Sequence, residues 1–570
     1  MLDILIHGGT LIDGTGAPGR RADVGLRDGR IVSLGEVHED ARRKIDASGR
    51  VVAPGFIDPH THYDAQVFWD GTLSPSCYHG VTTVLGGNCG FSIAPLSDEA
   101  AAYLMPMLAR VEGMPIESLR EGVPWSWRSF GDYLGLIEGR LAINAGFMVG
   151  HSAIRRTVMG PRAVGEQASP DELEAMKALL AKSLREGGMG FSTAISPAHN
   201  DGDGQPVPSR HASREELVAL AGVCRDHPGT SLEFLPGPAA FTDEVCELMT
   251  DLSLAANRPL NWNVLAADAS DAEGVAERLA ASDHARARGA EVVALIMATP
   301  PRVRINLVTG FIFDAFAGWA DVMGLAIPER MERLRDPEVR AALDRGAKSK
   351  ESGILRSFAQ WEEIQIDEVF TSENERHKGR RIGEIAAERG VDPFDALLDL
   401  ALSEDLRTSF MPNPIGDDEA TWKQRAELWR DDRTLLGASD AGAHLDMLDA
   451  FALTTHLLSD GVRKFGLISL EEAVHQITEK PARLFGLRDR GRVEAGYRAD
   501  LVVFDPDTIA SGPVYTRTDL PAGAGRLYAD AIGVDHVLVG GTPIVTHGEF
   551  TGALPGEVLR SGRDTDTVTP

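Results

Sequence analysis

Val51-Val52-Ala53-Pro54-Gly55-Phe56-Ile57-Asp58-Pro59-His60-Thr61-His62 is the stretch around which the rest of the 570-residue chain can be arranged. A short apolar run, bounded by turn residues and closed by two histidines, reads as a buried strand whose C-terminal end opens on a site. Successive strand residues face opposite ways, so His60 and His62 point to one side, about 6 to 7 Å apart along the strand. Two imidazoles on a rigid element can converge on one divalent ion, for which neutral imidazole is the commonest ligand. Two polar residues that merely end a strand would give the same letters, so the surrounding chain has to decide.

Upstream, residues 1 to about 50 alternate short Ile/Val/Leu runs with turns, among them Asp13-Gly14 and Asp28-Gly29. Asp-Gly between apolar runs is a hairpin signal, which predicts a small antiparallel sheet. Gly14-x-Gly16-x-x-Gly19 matches a dinucleotide pattern by letter, but it leads into another strand, and without a helix N-terminus there is no phosphate cradle. Far downstream, Val537-Leu538-Val539-Gly540-Gly541-Thr542-Pro543-Ile544-Val545 echoes Leu5-Ile6-His7-Gly8-Gly9-Thr10-Leu11-Ile12, and Leu501-Val502-Val503-Phe504 adds a further strand. Both ends are therefore expected to build one β domain.

Between them, apolar strand candidates alternate with helical stretches, the signature of βαβ units and a parallel sheet. Strands are expected at 53–57, 82–85, 144–149, 189–192, 231–235, 260–265, 291–297 and 434–438. Eight such strands close an α/β barrel, whose chemistry sits at strand C-terminal ends. The stretch 311–430, rich in Arg, Glu and Trp, reads as a helical insertion at the mouth, a lid or substrate wall.

Composition narrows the function. Lys plus Arg 57 against Asp plus Glu 85 leaves a net charge of −28, which argues against nucleic acid or an anionic membrane as partner. Four scattered cysteines are too few for a disulfide framework, and the N-terminus has neither a basic region nor an apolar stretch. The expectation is a soluble cytoplasmic protein, with its oligomeric state open, homo-oligomer included.

Two further sites carry chemistry. Gly86-Gly87-Asn88-Cys89-Gly90 holds a thiol in a glycine-rich turn after the second strand; a thiolate binds zinc and can bridge two ions, whereas free cysteine is more often a small buried hydrophobe. The last strand candidate runs into Ser439-Asp440-Ala441-Gly442-Ala443-His444. An aspartate there can ligate a metal, take a proton from its water and hand that proton to a leaving nitrogen; the competing reading is a turn or N-cap aspartate.

With these motifs on the page, the sequence resembles the metal-dependent amidohydrolase superfamily and is similar within it to the N-acyl-D-amino-acid deacylases. The resemblance runs through Gly8-Gly9-Thr10, Pro54-Gly55-Phe56-Ile57-Asp58-Pro59-His60-Thr61-His62, Gly87-Asn88-Cys89-Gly90, Val149-Gly150-His151, Ser439-Asp440, Thr478-Glu479-Lys480-Pro481-Ala482-Arg483 and Gly496-Tyr497-Arg498-Ala499-Asp500. It implies a (β/α)8 TIM-like barrel, 54–486, with a composite β-sandwich from both termini, 1–53 plus 487–560. It also implies zinc-dependent hydrolysis of a linear amide, with His60, His62 and Asp440 at one metal position. Cys89 then falls at the second or bridging ligand, and Asp440 at the general acid/base.

Departures accompany the matches. Such relatives carry a histidine at the ends of strands five and six, where this chain reads Ser231-Leu232-Glu233-Phe234 and Leu260-Asn261-Trp262-Asn263. Glu233 becomes a candidate oxygen ligand and Asn263 a candidate metal or substrate contact. His151, at a strand end, is a candidate oxyanion stabiliser or a satisfied structural histidine, and His444 either lines the pocket and orients a metal-bound carboxylate or is a turn residue. Arg155 and Arg156 read as surface charge or an ion pair. The reading is a zinc-dependent amidohydrolase of N-acylated amino acids. The alternatives are a cyclic amide hydrolase of hydantoinase type, and a metal-depleted barrel that only binds ligands.

Overall fold

The structure, a computed structural model, describes every residue except 238–240, 301, 309–312 and 314–315, and gives no side chains for 353–355. The start of the expected 311–430 insertion therefore lies outside the described residues.

Gly55 divides the opening stretch between two sheets. Val51–Pro54 pairs antiparallel with Leu501–Phe504 and parallel with Thr10–Leu11, whereas Phe56–Asp58 (β1) pairs parallel with Val81–Gly86 (β2). A Cβ on Gly55 would lie 2.2 Å from the Thr82 side chain, so only glycine lets the chain cross here. The expectation of one continuous strand is corrected accordingly. His60 and His62 sit beyond the strand end, in a segment where Thr61 bridges Ala441.

The parallel strands follow chain order. β1, β2 and β3 (Asn144–Phe147) form one three-stranded sheet. After Met148, Val149–Gly150 begins a six-stranded sheet with β4 (Gly190–Ala194), β5 (Ser231–Leu235), β6 (Leu260–Leu265), β7 (Val292–Ile296) and β8 (Thr434–Leu436). All neighbours in both sheets pair parallel. Strands β2, β3, β4 and β7 are buried along their whole length, as befits a parallel sheet covered on both faces. The covering helices begin at legible signals: Pro170–Arg185 has Pro170 in its first turn and a Ser169/Glu172 capping box, and buries Met176, Leu180 and Leu184. The chain after β8 is held against the chain after β1, with His62 N–H donating to Ala441 O at 2.7 Å and Asp440 N–H to His60 O at 3.1 Å.

Both termini contribute to one seven-stranded sheet, ordered Glu549–Phe550, Thr542–Thr546, Val534–Val539, Leu501–Phe504, Val51–Pro54, Thr10–Leu11, Arg20–Arg21. The other N-terminal sheet is mixed and not purely antiparallel, because Leu2–His7 lies parallel to Ala41–Asp46 and antiparallel to Asp23–Arg27. Ile4, Ile6, Leu26, Val52, Leu501 and Leu538 join the two in one core. The Asp28-Gly29 turn takes positive φ at both residues (50° and 74°), the twist a two-residue hairpin requires.

Between β7 and β8, helices Ile327–Arg333, Pro337–Ala347, Ile382–Arg389 and Pro393–Leu402 surround their own core of Trp319, Trp361 and Phe394. Asp392 caps the last of these, accepting from Phe394 N–H. Glu419–Arg430 instead buries Trp422 and Trp429 in the main core. No helix among the described residues is long and apolar enough to cross a membrane.

Candidate metal centre

The two histidines, the thiol and the aspartate meet at the C-terminal ends of the parallel strands. Among the described residues, one group of metal-capable side chains has its ligand atoms within 4.8 Å of one another: His60, His62 and Cys89, all buried. The imidazole centroids are 5.3 Å apart, and Cys89 Sγ lies 3.7 Å from His60 Nε2. Asp440 arrives from β8, its Oδ1 3.0 Å from His62 Nε2 and 3.5 Å from His60 Nε2. Its side chain is 29% exposed against 2% and 5% for the histidines, so the cluster faces solvent on the aspartate side.

Each element is positioned by its neighbours. The turn carrying Cys89 is fixed by Asn88 Nδ2, which donates to Thr61 O and Leu85 O, and by Gly87 N–H on Asp64 Oδ2. A Cβ on Gly87 would lie 2.3 Å from Met148 O. Ser439 Oγ donates to buried Asp58 Oδ2 at 2.5 Å, tying β8 to β1. Cys89, Asp440 and His444 all adopt positive φ (55°, 57° and 46°); non-glycine residues held so are concentrated at functional sites.

Glu233 and Asn263 reach the same point. Glu233 Oε2 accepts the Cys89 N–H at 2.8 Å, and Asn263 Nδ2 lies 3.3 Å from His60 Nε2 and 3.5 Å from Cys89 Sγ. Among the described residues, Glu233 Oε1 and Asn263 Oδ1 are buried acceptors with no donor. Sulfur, imidazole and unpaired carbonyl or carboxylate oxygens make a donor set suited to a divalent cation. His444 Nε2 is 3.7 Å from Asp440 Oδ2, at the edge of the cluster.

His151 is a correction. Its Nδ1 pairs with Thr193 Oγ1 and its Nε2 with Glu216 Oε1, both at 2.8 Å, in a fully buried network with Arg155. With both ring nitrogens engaged in tying the start of the helix His151–Met159 to β4 and to Arg214–Val223, it has none left to offer an oxyanion. Of the two readings offered for Arg155, surface charge or an ion pair, the structure has the ion pair, with buried Glu216.

Reading by motif missed Glu112, Asp58 and Asp64. Glu112 ends α1 (Asp98–Val111) with its Oε1 3.3 Å from His62 Nδ1. A buried carboxylate at a helix C-terminus opposes the macrodipole, and that anomaly was the available signal.

Electrostatics follow from this crowding. Burial raises the Asp440 carboxyl, but hydrogen bonds from His60 and His62 and the charges of His62 and His444 outweigh it and hold it well below the usual range. Burial lowers His62, yet the charge of Glu112 and the contacts with Asp440 and Cys89 hold it well above an ordinary imidazole. Burial pushes Asp64 up to about 6, Asp58 and Glu112 to about 7, Glu233 to about 8 and the Cys89 thiol to about 12.

A stability profile results. Each of these carboxyls keeps its proton in the folded chain to a higher pH than in the unfolded one, where carboxyls titrate near about 4. Their contribution is therefore full below that pH and lost as pH rises through 6 to 8. His62, also raised, acts in the same sense above 6.5. Buried His60, His199 and His444, lowered mainly by burial, act oppositely but only below 6.5. Chelator-treated protein should thus melt at a lower temperature at pH 8 than at pH 6.5, and saturating zinc should remove that decline, because a cation favours the deprotonated ligands. A metal-free melting temperature that holds or rises across this window would contradict the electrostatic reading.

Known proteins resemble this chain over nearly its whole length. A family model described as the amidohydrolase family matches residues 43–545. D-aminoacylase of Alcaligenes xylosoxydans xylosoxydans is 30% identical over 98% of this chain and 97% of its own length. N-acyl-D-glutamate deacylase of the same organism is 30% identical over 98% and 96%. Among solved structures, N-acyl-D-glutamate deacylase from Bordetella bronchiseptica, complexed with zinc and a phosphonate mimic of the tetrahedral intermediate, superposes with a TM-score of 0.62 at 27% identity, covering 98% of this chain and 100% of that one.

Proposed function

The chain belongs to the amidohydrolase family, and from that premise we propose that it is a zinc-dependent deacylase of N-acyl-D-amino acids. The observation that carries this is the convergence of His60 and His62, which follow β1, and Cys89, which follows β2, with Asp440, which follows β8, at one end of the parallel strands. The D-stereochemistry rests on what the relatives act on, D-aminoacylase and N-acyl-D-glutamate deacylase. In the same reading the strands close into a (β/α)8 barrel over 54–486, the termini form a composite β-sandwich, and the helical excursion between β7 and β8 walls the mouth.

His60, His62, Cys89 and Asp440 would hold the cation, with Glu233 and Asn263 supplying oxygen on the far side. The chemistry supplied by such an ion is acidification of water, from a pKa of 15.7 toward about 7, and polarisation of an amide carbonyl. Asp440 is the group with both a low proton affinity and access to solvent. It takes the proton from the attacking water and returns it to the leaving nitrogen, so that carboxylate and free amine are the products. The buried histidines and thiol exclude bulk water from the far side and leave one face for the substrate.

The test is a panel of N-acyl D- and L-amino acids, assayed on chelated and zinc-reloaded protein. Turnover confined to D-substrates and restored by zinc is the expected result. Hydrolysis of cyclic amides alone, or no turnover with tight ligand binding, would overturn it.

A further inference from the structure

The side chain that fixes which nitrogen of His62 faces the cluster is absent from every motif considered above. His62 Nε2 is 3.0 Å from Asp440 Oδ1, inside the cluster, while Nδ1 on the opposite edge of the ring is 3.3 Å from Glu112 Oε1. Both side chains are nearly sealed from solvent, 5% and 3% exposed. Glu112 is also a main-chain anchor: its N–H returns to Leu108 O to end α1, and its carbonyl accepts the His444 N–H at 2.5 Å. The next residue, Gly113, takes φ 61°, and a Cβ there would lie 3.3 Å from His444 Cα, so glycine suits this approach. One residue at the end of α1 therefore touches the histidine that follows β1 through its side chain and the loop that follows β8 through its backbone.

A neutral imidazole donates from one nitrogen and accepts at the other, and the hydrogen-bond partner of one decides which is free to bind a cation. A carboxylate behind a metal-ligating histidine fixes both tautomer and ring orientation. The location is costly for any other purpose, since a buried carboxylate at a helix C-terminus meets the negative end of the macrodipole.

We propose that Glu112 is the positioning residue of the metal centre: its carboxylate holds His62 with the proton on Nδ1, so that Nε2 is the atom presented to the cation. The inference rests on the metal-centre reading given above. Glu112 touches neither substrate nor cation and acts through His62.

Zinc affinity, measured on the full chain by competition with a chromophoric chelator, tests it, alongside the melting temperature of the metal-free protein. Glu112→Gln, which keeps the shape but not the charge, should weaken zinc binding by about 10-fold, and Glu112→Ala by up to about 100-fold. The metal-free melting temperature should not fall in Glu112→Gln, because a costly buried carboxyl has gone. The cobalt-substituted Gln variant should show a changed ligand-field spectrum with its sulfur-to-cobalt band intact, since Cys89 is untouched. Wild-type zinc affinity in both variants, while wild type itself binds zinc, would overturn the inference and leave the metal centre standing. So would a loss of affinity matched in both variants by loss of the metal-free fold. Absence of zinc binding in wild type would overturn both together.

Discussion

Asp440→Asn is expected to lower kcat by about 10³-fold or more while leaving the fold intact, because a positioned acid/base alone contributes about 10² to 10⁴ and this residue is also a ligand. Asparagine matches aspartate in volume and tolerates the left-handed backbone that Asp440 adopts at φ 57°. The main-chain bonds of the turn, Asp440 N–H to His60 O and Ala443 N–H to Asp440 O, do not involve the side chain. What the substitution removes is the negative charge that two histidines hold deprotonated, and with it the most exposed proton acceptor among the described residues of the cluster. KM should change far less than kcat, since substrate binding does not need the proton transfer. Wild-type turnover with an unchanged circular dichroism spectrum would show that the proton travels another way.

How far the sequence carried depended on how local each interaction was. His60 and His62 are two residues apart, so their convergence needs only the local chain, and the alternation argument put them on one side even though the strand had already ended at Asp58. The error lay in reading through Pro54-Gly55, a pair that marks a turn; the glycine is where the chain passes from the terminal sheet to the parallel one. His151 failed for a different reason. A histidine at a strand end is an active-site signal only if its nitrogens are free, and its partners Thr193 and Glu216 lie 42 and 65 residues away, so no local pattern reveals them. Glu112 is the converse case: helix α1 brings it from fifty residues downstream to the back of His62, and nothing near it in sequence looks catalytic. Glu233 was legible as a departure, an acid inside β5, and its contact with the Cys89 N–H shows how an oxygen donor fits there without disturbing the turn.

Cys89→Ser should have the largest effect on the metal itself. The sulfur sits 3.7 Å from His60 Nε2 and 3.5 Å from Asn263 Nδ2, and its own N–H is satisfied by Glu233, so the side chain and not the backbone is free to serve a cation. Burial pushes the thiol up to about 12, which keeps it protonated in the metal-free protein; binding must expel that proton, and zinc affinity should therefore climb with pH. Serine preserves the size and the turn but offers a harder donor with a far more basic oxygen. The loss in zinc affinity should exceed the about 10- to 100-fold typical of changes behind the ligands, and the softer cadmium ion should lose more than zinc does. Two signatures distinguish lost coordination from a damaged fold. The slope of log affinity against pH should fall by about one, the proton no longer released, and the sulfur-to-cobalt absorption of the cobalt form should vanish while the metal-free melting temperature holds. A serine variant that keeps both wild-type zinc affinity and its pH slope would place Cys89 among buried thiols that merely fill space, leaving the cation to His60, His62 and Asp440.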